Sequence, residues 1–165
     1  MKLNELFTVK YGHSLELNRL QLSSDANAVP FVSRSAKNNG VTAHVAPLHD
    51  IEPAAAHQLT VALGGTVLET FLQPQPFYTA FHVAVLTPKR AMNTAELLWW
   101  ASCIRANKYR YNYGRQANRT LAYLELPDSP PAWLQTVADN TVVTLLDSMQ
   151  EATKSVTPLQ HGEDQ

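Results

Sequence analysis

Leu59-Thr60-Val61-Ala62-Leu63 alternates in character, meets Gly64-Gly65, and resumes as Thr66-Val67-Leu68-Glu69-Thr70-Phe71-Leu72. β-Branched runs on either side of a glycine pair predict two strands joined by a tight hairpin, because glycine takes positive-φ turn positions without a Cβ clash. Pro74 and Pro76 then punctuate the chain, and Phe77 to Leu86 predicts a further strand. Working upstream, Leu6 to Tyr11 alternates and stops at Gly12, which predicts a short strand and turn. Residues 14–28 are polar with scattered leucines, a loop or short helix. Val29 to Ser33 begins a strand, Ser35 to Gly40 is a loop with a tight turn at Asn39-Gly40, and Val41 to Val45 is extended again, so a second hairpin is expected. Residues 46–58 are rich in Pro, Ala and His and are expected on the surface.

Downstream the period changes from two to that of a helix. Asn93-Thr94-Ala95-Glu96 resembles a capping box, with Asn93 at the N-cap and Glu96 three residues on. Leu97, Leu98, Trp99, Trp100, Ala101 and Ile104 then surround the helix almost completely, which predicts a mostly buried one. Leu121 to Leu126 reads as a strand. Ser129-Pro130-Pro131 starts a second helix, since proline suits the first helical position, and Leu134, Val137, Ala138, Thr141, Leu145 and Met149 form an apolar stripe along it. The expected fold class is α+β: a mixed, β-rich domain over 1–127 with a largely buried helix, a C-terminal helix over 128–150 for dimer or partner contact, and a flexible tail over 151–165.

The 165 residues are 45% apolar, enough for one domain with a real core. Thirteen Lys and Arg against fourteen Asp and Glu exclude histone-like basicity. The single Cys103 excludes a disulfide framework and any zinc site built on several cysteines. The opening residues hold no apolar core of signal-peptide length and no stretch has the apolar run of a membrane span, so a cytoplasmic, non-membrane protein is expected. The near-neutral charge is unevenly spread. Residues 1–119 carry twelve basic and seven acidic side chains, and residues 120–165 carry one basic and seven acidic.

Known catalytic and nucleotide-binding signatures are missing: the sequence contains no GxxxxGK[ST], GxGxxG or HExxH. Gly64-Gly65 is followed by no phosphate-binding pattern and reads as a hairpin turn. The six histidines never fall at ligand spacing with a second ligand, and Asp50 with Glu52 is the only close acidic pair in the body of the chain. Neither metal-dependent nor two-carboxylate hydrolysis is indicated. Cys103, on an apolar helix, reads as a small core hydrophobe. A small enzyme working through His82 or Cys103 therefore has no partner residues behind it.

One constellation differs. Residues 105–119 run Arg-Ala-Asn-Lys-Tyr-Arg-Tyr-Asn-Tyr-Gly-Arg-Gln-Ala-Asn-Arg, five cations interleaved with three tyrosines and three asparagines and no carboxylate. Such a block is by default a solvated helix end whose tyrosines pack on the core. Its chemistry also suits nucleic acid: Arg and Lys neutralise phosphates, Asn, Gln and Arg pair with base edges, and Tyr offers a hydroxyl and a stacking face. The loop Ser33-Arg34-Ser35-Ala36-Lys37-Asn38-Asn39-Gly40 repeats that chemistry on a smaller scale.

Five segments in order carry a resemblance: LFTVKYGHSL (6–15), VPFVSRSAKNNGV (29–41), LTVALGGTVLETFLQPQPFYTAFHVAVLTPK (59–89), MNTAELLWWASCIRANKYRYNYGRQANR (92–119) and LAYLELP (121–127). Their order resembles a target recognition domain of the DNA-specificity subunit of Type I restriction-modification systems, and is similar to the specificity modules of some fused Type II enzymes. The resemblance spans about three quarters of the chain. It implies a non-catalytic α/β module that enters the major groove of double-stranded DNA and reads a half-site. A methyltransferase (modification) subunit, which would bind the S-adenosylmethionine, methylates adenine, and a restriction subunit cleaves unmodified DNA. No cofactor and no metal are implied for this chain. The residues implied in DNA binding are Ser33, Arg34, Lys37, Asn38 and Asn39 in one loop, and Arg105, Lys108, Arg110, Tyr111, Tyr113, Arg115, Asn118 and Arg119 in the other cluster. Arg110 and Arg115 are candidates for base or phosphate contact, and the tyrosines for positioning.

The chain departs from that family in carrying one such domain where a full subunit has two separated by long helices. Nineteen helical residues after Pro131 reach only about 28 Å. Such a helix could pair with a second copy, giving a homodimer that reads a two-fold symmetric, interrupted site. The acidic C-terminal part suits a protein-facing surface. A second class of function follows from it: a protein-interaction module of the same fold that regulates or antagonises a restriction complex without binding DNA.

Overall fold

A computed structural model describes residues 1–111 and 116–155, which fall into two units, Met1–Pro130 and Pro131 onward. The first unit holds α1 (Leu3–Leu6), β1 (Phe7–Tyr11), β2 (Val29–Val32), β3 (Val41–Val45), β4 (Gln58–Ala62), β5 (Thr70–Gln73), β6 (Tyr78–Thr79), β7 (Val83–Pro88) and α2 (Thr94–Ala106). The second holds α3 (Trp133–Ser155). The mixture of sheet and helix is the α+β class expected.

β7 organises the first unit. It pairs antiparallel with β1 on one side and β4 on the other, so that Leu86 sits between Val9 and Leu59, and the four-stranded sheet runs β1-β7-β4-β5. Alternate residues of a strand face opposite ways. Accordingly Ala84 and Leu86 join a core with Leu59, Val61, Leu97, Trp100, Ile104 and Leu121, while Val83 and Val85 join a separate one with Val32 and Phe77. The second sheet runs β3-β2-β6. β2 is antiparallel to β3 and parallel to β6, and Phe31 and Tyr78 bury a third small core with Val29 and Val45.

Local chemistry explains several boundaries. Asn93 caps α2, its side-chain oxygen accepting the Glu96 N–H at 2.8 Å. The Glu96 carboxylate holds Arg90 and accepts the Trp100 indole N–H at 3.2 Å, so this fully buried ring leaves no polar atom unmatched. Gly12 follows β1 because no other residue fits: an added Cβ would lie 2.1 Å from Thr79 Oγ1 and 2.8 Å from the Val83 carbonyl oxygen.

Five expectations are corrected. Phe77 to Leu86 is not one strand. His82 adopts a left-handed conformation at φ 57°, and this break sends β6 to one sheet and β7 to the other. The Leu63 N–H donates to the His82 carbonyl at 2.8 Å and the His82 N–H to the Tyr11 hydroxyl at 3.1 Å, which compensates the strained backbone. Residues 66–69 do not continue the strand. β4 and β5 are the antiparallel pair expected, but the connection spans residues 63–69 and includes Leu68 at φ 63°. Leu121 to Leu126 is a 3-10 turn over Leu121–Tyr123 and a single bridge from Glu125 to Lys2, because Leu121, Leu124 and Leu126 all turn into the core. The α2 helix stops at Ala106 and continues as a 3-10 turn over Asn107–Tyr111, and Leu98 on its outer side is 50% exposed. Finally, α3 runs to Ser155, five residues further than expected, and its Trp133, Val137, Leu145, Leu146 and Met149 are exposed.

Candidate nucleic-acid interface

Two sequence-distant polar segments converge on the β4–β5 connection. The loop after β2 is shaped by its own amides: Asn38, Asn39 and Gly40 take positive φ in succession, and the Ser33 N–H donates to the Gly40 carbonyl at 2.9 Å. Asn38 Nδ2 donates to the Val41 carbonyl at 3.0 Å, and Asn39 Nδ2 to the Leu72 carbonyl at 2.9 Å. Gln73, buried beneath, returns its amide to the Asn39 carbonyl and to Thr60 Oγ1, both at 3.0 Å. Asn38 and Asn39 thus build the loop with the donors that the sequence offered for base pairing. Arg34 and Lys37 project from it into solvent, and Ser33 is half-buried.

The β4–β5 connection meets this loop through Thr66, whose hydroxyl donates to the Arg34 carbonyl. It meets the other segment at Gly64. A Cβ there would lie 3.7 Å from Arg34 Nη1 and 3.8 Å from Gln116 Nε2, so guanidinium and carboxamide flank a residue with no side chain. Gln116 is exposed, yet its neighbour Ala117 is fully buried and donates its N–H to the Leu63 carbonyl at 3.0 Å. A cleft of about 540 Å³ opens beside the glycines, lined also by Ala36, Thr66, Glu69, Lys108, Tyr109 and Tyr111.

The residues predicted from the basic block occupy distinct situations. Arg105 turns into the fold, Nη1 donating to the Thr70 carbonyl and Nη2 to Ser102 Oγ, each at 3.2 Å. Lys108 is ion-paired with Glu69 at the cleft edge. Arg110 is exposed, donates from Nε to the Tyr109 hydroxyl at 3.0 Å and lies 5.6 Å from that ring's centroid. Tyr111 packs against the main core and shares a 2.8 Å hydroxyl contact with Thr120. Asn118 is exposed and donates to Gln116 Oε1 at 3.3 Å, and Arg119 is exposed. Tyr113 and Arg115 lie outside the described residues.

Gly64-Gly65, Thr66 and Gln116 were not read as site residues from the sequence. The glycine pair carried the signal but read as an ordinary turn, and nothing local says that it faces Arg34 and Gln116. No group of three or more His, Cys, Asp or Glu residues that could hold a metal ion occurs among the described residues. Burial pushes the Cys103 thiol above its ordinary range, the opposite of what a thiolate nucleophile requires. No helix among the described residues is long and apolar enough to cross a membrane.

Residues 1–126 match the family model described as the Type I restriction modification DNA specificity domain. No curated protein matches the chain. Among solved structures, the chain is similar to the Type I restriction-modification S subunit of M. genitalium, with a TM-score of 0.58 and 15% identity over 93% of this chain and 40% of that one. It is also similar to the HsdS subunit of Thermoanaerobacter tengcongensis, with a TM-score of 0.56 and 16% identity over 94% of this chain and 37% of that one. A third match belongs to a study of complex assembly and conformational transition in the type I R-M system, at a TM-score of 0.59 and 16% identity, over 94% of this chain and 39% of that one. The chain therefore spans about two fifths of the length of these structures.

Proposed function

The chain belongs to the Type I restriction modification DNA specificity domain family, and on that premise we propose that it is a non-catalytic module that reads double-stranded DNA. It acts as a half-length specificity subunit in a cytoplasmic complex, directing a methyltransferase subunit that carries the S-adenosylmethionine, with or without a restriction subunit. The observation that carries this reading is the convergence of Arg34, Lys108 and Gln116 around the open Gly64-Gly65 turn. Cations there neutralise phosphates, and a surface without side chains at its centre admits the backbone of a duplex.

α3 supports a homodimer or a partner contact. Its 23 residues reach about 35 Å, and its Trp133, Val137, Val143, Leu145, Leu146 and Met149 are exposed. A second reading is favoured by two observations: Glu69 occupies Lys108, and the chain beyond residue 119 is acidic. Under it the module docks on a restriction complex and regulates it without touching DNA.

A gel shift against a random duplex library at low and high salt, with sequencing of the retained fraction, separates the two. Salt-sensitive retention with an enriched motif is expected, and a two-fold symmetric motif would add the dimer. Failure to retain DNA even at low salt would favour the protein-docking reading.

A further inference from the structure

We infer that Gln116 reads a base edge, that Asn118 positions it, and that Gly64 supplies the clearance the duplex needs to reach it. The inference rests on the DNA-recognition reading above and names a residue within it. A side chain that discriminates bases must be held on a backbone fixed by the fold, carry a donor and an acceptor on one plane, and be exposed. Gln116 meets all three conditions. Its backbone is pinned because Ala117 is fully buried and hydrogen-bonded to Leu63 at 3.0 Å. Its Oε1 accepts from Asn118 at 3.3 Å, which turns the carboxamide, and among the described residues its second lone pair and the Nε2 donor have no partner. On its other side stands Gly64, where even a Cβ would be 3.8 Å from Nε2.

The surrounding cations differ from it. Lys108 is held by Glu69 and can meet a phosphate only by exchanging it, Arg110 is exposed beside the Tyr109 ring, and neither cation carries an acceptor. A glutamine with both carboxamide atoms available matches adenine, giving N–H to N7 and accepting from N6 in the major groove. We therefore assign adenine as the base read at that position.

Selection from a random duplex library with the full chain tests this, comparing wild type, Gln116→Ala, Gln116→Glu and Arg110→Ala. The wild type should enrich adenine at a defined position. Gln116→Ala should lose that preference alone, by between about 5-fold and about 150-fold, with the other positions and the salt dependence kept. Gln116→Glu should turn the preference toward cytosine, whose N4 amine a carboxylate accepts. That switch cannot arise from misfolding. Arg110→Ala should weaken all sequences alike and make the salt dependence shallower by about one unit of slope. A motif unchanged by both Gln116 substitutions overturns the inference while the DNA reading stands. Retention without any motif does the same. A wild type that retains no DNA overturns both.

Discussion

A methyl group on Gly12 would lie 2.1 Å from Thr79 Oγ1 and 2.8 Å from the Val83 carbonyl, and the latter atom belongs to the backbone of the central strand. Relief requires β1 and β7 to separate where the Gly12 N–H donates to that same carbonyl at 2.9 Å. Gly12→Ala is expected to destabilise the fold by about 1–3 kcal/mol, measured as a lower denaturant midpoint at unchanged slope. An unchanged midpoint would mean that the Thr79 hydroxyl and the strand end yield freely. Gly64 is the opposite case. Its neighbours stand at ordinary contact distance, so the fold does not demand a glycine there and the opening beside it is free to serve a ligand. The same distinction separates the asparagines: Asn38 and Asn39 close a loop in positive φ, whereas Asn118 reaches an exposed partner.

Among the elements, β7 and α2 carry the first unit, and every residue of the three buried clusters lies between Leu3 and Leu126. α3 lies outside that range, and its Trp133, Val137, Val143, Leu145, Leu146 and Met149 are exposed. Truncation after Pro130 is therefore expected to leave the melting temperature of the first unit within about 4 °C of the full chain, the equivalent of about 1 kcal/mol for a domain of this size. Circular dichroism on both lengths measures it, and a fall of 10 °C or more, which is about 2.5 kcal/mol or greater by the same relation, would show that the core depends on α3. Two strand ends rest on single residues with strained backbone. His82 sends the chain from one sheet to the other, and Leu68 reverses it between β4 and β5.

Across the whole molecule, charge is segregated along the chain, with twelve of the thirteen cations before residue 120 and half of the fourteen acids after it. Net charge near zero hides the exposed cations Arg34, Lys37, Arg110 and Arg119. If each of these meets one phosphate, log K should fall against log salt with a slope of about −3 to −4. Lys108 would add to that only on exchanging Glu69 for a phosphate, so Glu69→Gln should steepen the slope toward −5, by about one phosphate's share. Binding titrations between low and moderate salt measure both quantities. A slope near zero would mean that these cations do not touch DNA at all.

The hydrophobic periods of β1, β2, β3 and β4, the Asn93 cap and the buried face of α2 were legible in the sequence because each is decided by neighbours within a few residues. So were the basic tyrosine-rich block and the order of segments that marks the family. Pairing was not legible. That Phe77 to Leu86 divides between two sheets depends on one histidine accepting a left-handed backbone, and residues from β1 and from the β4–β5 connection hold it there. The segment 121–126 reads as a strand from its composition, but its leucines, spaced by three and then two, are all turned inward by the core they close. The candidate site is the clearest case. Sequence marked the chemistry of the 33–39 loop and of the 105–119 block, but which of those side chains face outward was settled by competition for internal partners. Asn38, Asn39, Arg105 and Lys108 found such partners within the fold. Gln116 acquired its place beside Arg34 and Gly64 only because the Ala117 N–H bonds to the Leu63 carbonyl, a contact between residues 54 positions apart that no local pattern encodes.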